Sequence, residues 1–294
     1  AVVVGVDPGS KREGFSVRTA AHDLLNVDTD AKDWVGNKLK KRRILRRARR
    51  SRKTPCRSPQ RSTENHARVP AGTRARWEWK LRILEWLATL YPVTDVVVEN
   101  INAGPRKGAR RWNASFSPLE AGKRWFYGRI EERWQLTTLQ GHETAKLREK
   151  SGLKKSSHKT SDRWDAHCVD AWVLAEKLLR TGREPQREQM VRITPIQRQR
   201  RCLHRANPSK GGDRRPYGGT NKGRWKTGTL VEHPRYGLCY TGGAASGRIS
   251  LHNLETGKRL TVHARITDCR PRSPLAWRFR FLPVLKDGVS TEQT

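Results

Sequence analysis

Four side chains in three separated stretches have the type and setting for phosphate chemistry. Residues 1–10, AVVVGVDPGS, are a β-branched run, apolar on every side, that ends in Asp7 and a Pro-Gly turn. Such a run predicts a strand buried on both faces. The acid at its end either faces a site or starts a turn, since Asp-Pro-Gly is ordinary turn chemistry. Residues 94–99, TDVVVE, repeat the pattern and end in Glu99, whose alternative is a surface acid paired with an arginine. In residues 160–172, TSDRWDAHCVDAW, His167 and Asp170 stand three apart, so a helix projects both from one face. Alone, that spacing is also common as a structural pair. Three carboxylates brought together raise one another's pKa and cost stability, a cost that divalent cations relieve. Mg²⁺ prefers carboxylate oxygen and bridges to phosphate, and two ions about 3.5 to 4 Å apart stabilise both the attacking and the leaving oxygen of an in-line displacement. The chemistry expected is phosphodiester hydrolysis with two Mg²⁺ ions, for which Mn²⁺ substitutes. Asp7 is the expected bridging ligand, Glu99 and Asp170 flank it, and His167 is a ligand or accepts the proton of the attacking water.

The elements between these residues decide whether they meet. Trp77, Leu81, Leu84, Ala88 and Tyr91 recur at helical spacing over residues 74–91, before Pro92. Strand, crossing helix and strand predict a parallel pair with Asp7 and Glu99 side by side at one sheet end. Residues 14–19 alternate as a second strand, making 1–19 a hairpin. Residues 103–124 are Gly-rich and basic and read as loop. A helix around 125–133, a strand at 136–140, a helix near 143–150 and a basic loop at 152–159 follow. Ser161 and Asp162 offer an N-cap to a helix running to about Arg180, with Trp164, Cys168, Ala171, Ala175 and Leu178 on its apolar face.

The partner class follows from charge. The chain carries 62 Lys+Arg against 28 Asp+Glu, a formal +34 on 294 residues, which is costly unless a polyanion neutralises it. Nucleic acid is the expected partner. No apolar run approaches a spanning length and no signal peptide opens the sequence, so a cytoplasmic protein is expected, nucleoid-associated through DNA and with no membrane partner. Residues 38–53, KLKKRRILRRARRSRK, hold 11 basic residues in 16. They predict a helix of roughly 24 Å that lies along phosphates, with Lys41, Arg42, Arg43, Arg46, Arg47, Arg49, Arg50 and Arg52 as contacts; a basic tail or localisation signal is the alternative. Five widely spaced cysteines without a Cys-x-x-Cys pair argue against a disulfide framework or zinc ribbon. Residues 190–226 are basic and poor in apolar side chains, which suits an RNA-binding linker contacting phosphates through Arg201, Arg205, Lys210, Arg214 and Arg215. Short alternating runs at 228–231, 237–240, 248–252, 259–263 and 277–282 predict a small SH3-like barrel.

GVDPGS at 5–10, VVVEN at 96–100 and HCVDA at 167–171 resemble the three motifs of a RuvC-type nuclease of the RNase H fold. The Arg-rich segment resembles the bridge helix of the transposon-encoded IscB/IsrB family, relatives of the RNA-guided CRISPR effectors. The stretch from Arg201-Cys202-Leu203-His204-Arg205 through Asn207-Pro208-Ser209-Lys210-Gly211-Gly212 to Tyr217-Gly218-Gly219-Thr220 is similar to a segment of that family. Only 67 residues separate Glu99 from His167, too few for the nested HNH module, so the resemblance is to the IsrB branch. It implies an α/β fold: an RNase H-like RuvC core in segments 1–32 and 57–189, a bridge helix at 33–56, an RNA-binding linker at 190–226 and a β-barrel at 227–294 that reads a short motif flanking the target. It further implies a nickase, acting as a monomeric ribonucleoprotein, whose guide RNA pairs with one strand of double-stranded DNA while the displaced strand is cut. Residue 1 already lies in the first strand, so the family's short N-terminal domain is expected to be missing or to have been removed. An unguided RuvC-like junction resolvase and a non-enzymatic RNA-binding scaffold are the competing expectations.

Overall fold

The computed structural model describes residues 1–9, 11–31, 69, 71–102, 118–158, 161–186, 189–196, 227–245, 247–274 and 277–282, together with Lys40, Ile44, 206–207 and 212–213. It divides into two compact units, Ala1–Arg192 with Phe281–Thr294, and Ile193–Arg280.

The first unit is built on a mixed sheet. Strands β1 (Val3–Asp7), β2 (Arg12–Arg18) and β3 (Asp23–Asp30) form an antiparallel meander. Helix α1 (Ala71–Leu90) then crosses to β4 (Asp95–Asn100), which lies parallel to β1, and α2 (Pro118–Glu131) crosses to β5 (Gln135–Gln140), parallel to β4. Parallel neighbours need such crossovers because a tight turn can only reverse a strand. Helices α3 (Gly141–Lys150) and α4 (Trp164–Leu179) follow, then β6 (Met190–Pro195). With the edge strand β14 (Trp277–Leu282), the order across the sheet is β14-β6-β3-β2-β1-β4-β5. The run β3-β2-β1-β4-β5, three antiparallel strands continued by two parallel ones, is the RNase H-like arrangement.

Successive residues of β2 show how the layers are assigned, since side chains alternate across a sheet. Glu13 points to one face and receives Lys80 of α1 at 2.5 Å. The next residue, Gly14, faces the other side, where the His167 carbonyl of α4 lies against it. The sheet is thus covered on both faces, which is why β1 and β2 are buried along their whole length. Trp79, Ile83, Leu84 and Leu87 of α1 are buried, and Trp79 also donates its indole N–H to Thr29 at 3.1 Å. On the opposite side Trp164, Cys168, Val169, Trp172 and Val173 of α4 pack with Met190 and Leu282.

Several sequence expectations are corrected here. Residues 1–19 are not a lone hairpin, because β3 extends the meander; its buried acids Asp23 and Asp28 are paired with Arg18 and Arg12, contacts invisible to pattern reading. Helix α2 starts at Pro118, inside the stretch read as loop. Residues 190–195, read as the start of a basic linker, form a core strand with Met190, Val191 and Ile193 buried. The N-cap of α4 is Arg163, without a side-chain cap bond, and Asp162 is engaged by Arg12 and Arg192 instead.

The second unit holds a five-stranded antiparallel sheet, ordered β12-β11-β10-β9-β13 from β9 (Thr229–His233), β10 (Gly237–Ala245), β11 (Arg248–Asn253), β12 (Arg259–Arg265) and β13 (Arg270–Pro274). A two-residue ladder, β7 (Ala206–Asn207) with β8 (Gly212–Asp213), precedes it. A turn at 254–258 joins β11 to β12, with Gly257 at φ 69°. The run at 277–282, expected to belong to the barrel, is β14 of the large sheet, and β13 was not anticipated.

Among the described residues no helix is long and apolar enough to cross a membrane. Of the helix expected at 38–53 only Lys40 and Ile44 are described, both helical; Lys41, Arg42, Arg43, Arg46, Arg47, Arg49, Arg50 and Arg52, and the contacts Arg201, Arg205, Lys210, Arg214 and Arg215, lie outside the described residues.

Candidate active site

Asp7 is the last residue of β1. The register pairs Val6 with Val98, so Glu99, one step further on β4, comes beside Asp7. The spatial neighbourhood expected from strand, helix and strand is present. His167 and Asp170 reach the same place from α4, and both are buried, as Asp7 is.

The position of α4 is set by β1 and β2. An added Cβ at Gly5 would lie 1.8 Å from the Ala171 carbonyl oxygen, and one at Gly14 would lie 2.1 Å from that of His167. Two side-chain-free positions therefore let the helix backbone touch the sheet on either side of Asp170. Buried arginines of β2 hold its ends. Arg12 donates to Asp28 at 2.9 Å and to the Ser161 carbonyl at 2.5 Å, and pairs with Asp162 at 2.9 Å, just ahead of the helix. Arg18, 2% exposed at its side chain, pairs with Asp23 at 2.6 Å and Glu176 at 2.8 Å and stacks its guanidinium 3.7 Å from the Trp172 ring centroid. The Trp172 indole N–H closes this network on Asp23 at 2.9 Å. Each buried charge has an opposite partner, the condition under which buried ions persist.

The carboxylates are electrostatically strained. Burial raises Asp7 above the ordinary carboxylate range; Lys155 opposes that shift and the Asp170 charge adds to it. Burial also pushes Glu99 up to about 7, with the charges of Asp7 and then Asp170 adding and Lys155 opposing. Each ionised member thus makes the others harder to ionise. Two cations answer this charge. Arg148 of α3 donates to Asp170 Oδ1 at 2.5 Å, and Lys155 Nζ contacts Asp170 Oδ2 and lies 3.4 Å from Asp7 Oδ2. Among the described residues no group of three His, Cys, Asp or Glu side chains stands in metal-holding geometry; the Lys155 ammonium takes the place between Asp7 and Asp170 that a shared cation would need.

Asp7, Glu99, His167 and Asp170, separated by up to 163 positions in sequence, are therefore gathered at one end of the central strands. A set of hard carboxylate oxygens, buried and mutually repelling, matches the preference of a divalent cation such as Mg²⁺. Lys155 and Arg148 were missed by sequence reading. Lys155 sits in a basic loop beside Lys154 and near Lys159, and nothing in type or spacing separates it from them. Arg148 had a weak signal, since it projects from the helix immediately after β5.

With this geometry in hand, comparison with known proteins adds the following. A family model described as RRXRR protein matches residues 1–109, a span that includes Asp7, the Arg-rich run and Glu99. Among solved structures, Thermus thermophilus RuvC in complex with Holliday junction substrate is 15% identical over 61% of this chain and 96% of that one, with a TM-score of 0.32. A second Thermus thermophilus RuvC structure is 16% identical over 60% and 91%, with a TM-score of 0.28. No curated protein matches.

Proposed function

We propose that the protein is a metal-dependent nuclease that hydrolyses DNA phosphodiester bonds at the Asp7, Glu99, His167 and Asp170 cluster. The observation that carries this reading is the gathering of three carboxylates from two parallel strand ends and one helix face. In a chain of +34, burying acids that repel one another costs stability that neutral residues at these positions would not.

Asp7, Glu99 and Asp170 would hold Mg²⁺ or Mn²⁺, which supplies charge stabilisation at the attacking and leaving oxygens. Asp7 would be the shared ligand. His167, on the same face of α4, would accept the proton of the attacking water or serve as a further ligand. The glycine contacts of α4 keep this face at fixed distance from β1, so the acceptor and the carboxylates approach a bound phosphate together.

The finer reading is an RNA-guided nickase of IsrB type. Its support is the order of the three motifs, the Arg-rich run between the first and second, and a charge excess far beyond what one duplex contact requires. The basic segments at 33–56 and 190–226 would then hold guide RNA and heteroduplex, and the sheet of the second unit would read a short motif beside the target. The protein would work as a monomeric ribonucleoprotein.

The test is to purify the protein, sequence the RNA that accompanies it, and assay matched duplex DNA in Mg²⁺ with Asp7→Ala as control. Guided cutting of one strand, lost in Asp7→Ala while target binding persists, is expected. Cutting that survives RNase treatment would replace the guided reading by an unguided nuclease, and cutting unaffected by Asp7→Ala would refute the assignment of the site.

A further inference from the structure

The feature of the site that the nuclease reading leaves unused is Lys155. Its ammonium bridges Asp7 and Asp170, at 3.4 Å from the first and in direct contact with the second. The contact belongs to a built segment. Leu153, two residues before, packs on the core cluster of Trp164, Cys168 and Trp172. Ser156, the next residue, donates its backbone N–H to the Asp165 carbonyl in the first turn of α4 at 3.0 Å. Gly152, at φ 68°, provides the turn that brings the segment back over α4. The backbone on both sides of Lys155 is thus tied to α4, while its side chain is 30% exposed at the mouth of the site. The stem has four rotatable carbons, so the ammonium can leave the carboxylates without moving the backbone.

We infer that Lys155 is an exchangeable counter-ion: it holds Asp7 and Asp170 in the free protein, yields them to the divalent cation, and then meets the substrate phosphate. The inference deepens the nuclease reading and rests on it. A monovalent ammonium cannot balance three carboxylates, and Arg148 engages only Asp170, so a divalent ion competes effectively for the same oxygens. The displaced ammonium stays tethered where a phosphodiester would approach. Lysine acts there as a point charge that needs no fixed hydrogen-bond geometry. The result is coupling: the metal is held weakly until nucleic acid offers Lys155 another anion, which keeps the hydrolytic site unloaded when no substrate is present.

The test measures metal binding, without reference to turnover. Mn²⁺ binding to the full chain is followed by electron paramagnetic resonance, counting only binding that Asp7→Ala removes, for wild type, Lys155→Met and Lys155→Arg, with and without non-cleavable phosphorothioate DNA. Lys155→Met is expected to bind Mn²⁺ about tenfold more tightly than wild type without DNA, the size of one lost charge-assisted contact. Added DNA should tighten wild-type binding several-fold and leave Lys155→Met nearly unchanged, with Lys155→Arg near wild type. Circular dichroism checks the fold, and Lys155→Gln replaces Lys155→Met should the latter misfold. Unchanged or weaker Mn²⁺ binding in Lys155→Met, beside wild-type binding that Asp7→Ala abolishes, overturns the role of Lys155 and leaves the nuclease reading standing. Absence of Asp7-dependent binding in every variant overturns both.

Discussion

Gly5→Ala tests the idea that glycine notches place the face of α4 that carries His167 and Asp170. The added methyl would lie 1.8 Å from the Ala171 carbonyl oxygen and 3.0 Å from the Ala175 backbone N, where ordinary contact begins at 3.4 Å. The clash is with backbone on both sides, so no side chain can rotate away. Relief requires α4 and β1 to separate by 1.6 Å, the difference between 1.8 and 3.4 Å. Asp170 precedes Ala171 directly, and His167 lies one turn earlier, so both move with the helix. Overpacking a dense core costs about 1–3 kcal/mol, and this case belongs at or above the upper end because Val4, Val6, Ala171 and Ala175 around it are all buried. A displacement of about 1 Å at a reacting group lowers rate on the order of 10²-fold. Gly5→Ala should therefore lose about 3 kcal/mol in urea unfolding and at least about 10²-fold in Mg²⁺-dependent cleavage, measured well below its unfolding midpoint. A variant within about 1 kcal/mol of wild type and within threefold of its rate would refute the claim that close approach at Gly5 sets the site.

Three further outcomes follow from the same structure. Arg18→Ala strands Asp23 and Glu176, both largely buried, and removes the guanidinium stacked on Trp172; a loss of about 3–5 kcal/mol is expected in chemical denaturation, and Asp23→Asn in the Arg18→Ala background should recover part of it. Burial, with the charges of Asp7 and Asp170, pushes Glu99 from an ordinary 4.5 up to about 7 in the metal-free protein. In metal-free buffer its contribution to stability is therefore fully present below 4.5 and lost as pH rises through about 7, so the melting temperature of wild type should fall relative to Glu99→Gln across that window. Mg²⁺ binding at subsaturating metal should move the opposite way, strengthening as pH rises through about 7 where the metal-free Glu99 carboxyl ionises; a flat profile for both would contradict the burial of Glu99. Arg148→Met removes the partner of Asp170 Oδ1. It should lower stability by about 1–3 kcal/mol in the metal-free protein, with excess Mg²⁺ recovering most of the loss in a thermal melt.

Much of the site was legible before the fold was known. The β-branched runs before Asp7 and Glu99 have no polar face, so they had to be interior strands, and the helical period from Trp77 to Leu84 between them required a parallel pairing. His167 and Asp170 share a helix face by spacing alone. Strand β3 was hidden for a physical reason: DLLNVDTD reads as a solvated edge because acids are rarely buried without partners, and its partners, Arg12 and Arg18, lie on another strand. Met190–Pro195 was hidden by the basic residues that follow it.

What the sequence by itself determined is the local part, set by side-chain periodicity and by the types of residue at strand ends: the two central strands, the crossing helix, and the acids they present. Tertiary structure alone decided how closely those acids approach and what neutralises them. Gly5 and Gly14 act only through helix backbone far along the chain, and Lys155 meets Asp7 across 148 positions. Such contacts depend on the absence of a side chain or on one lysine among many, and neither leaves a periodic trace in the sequence.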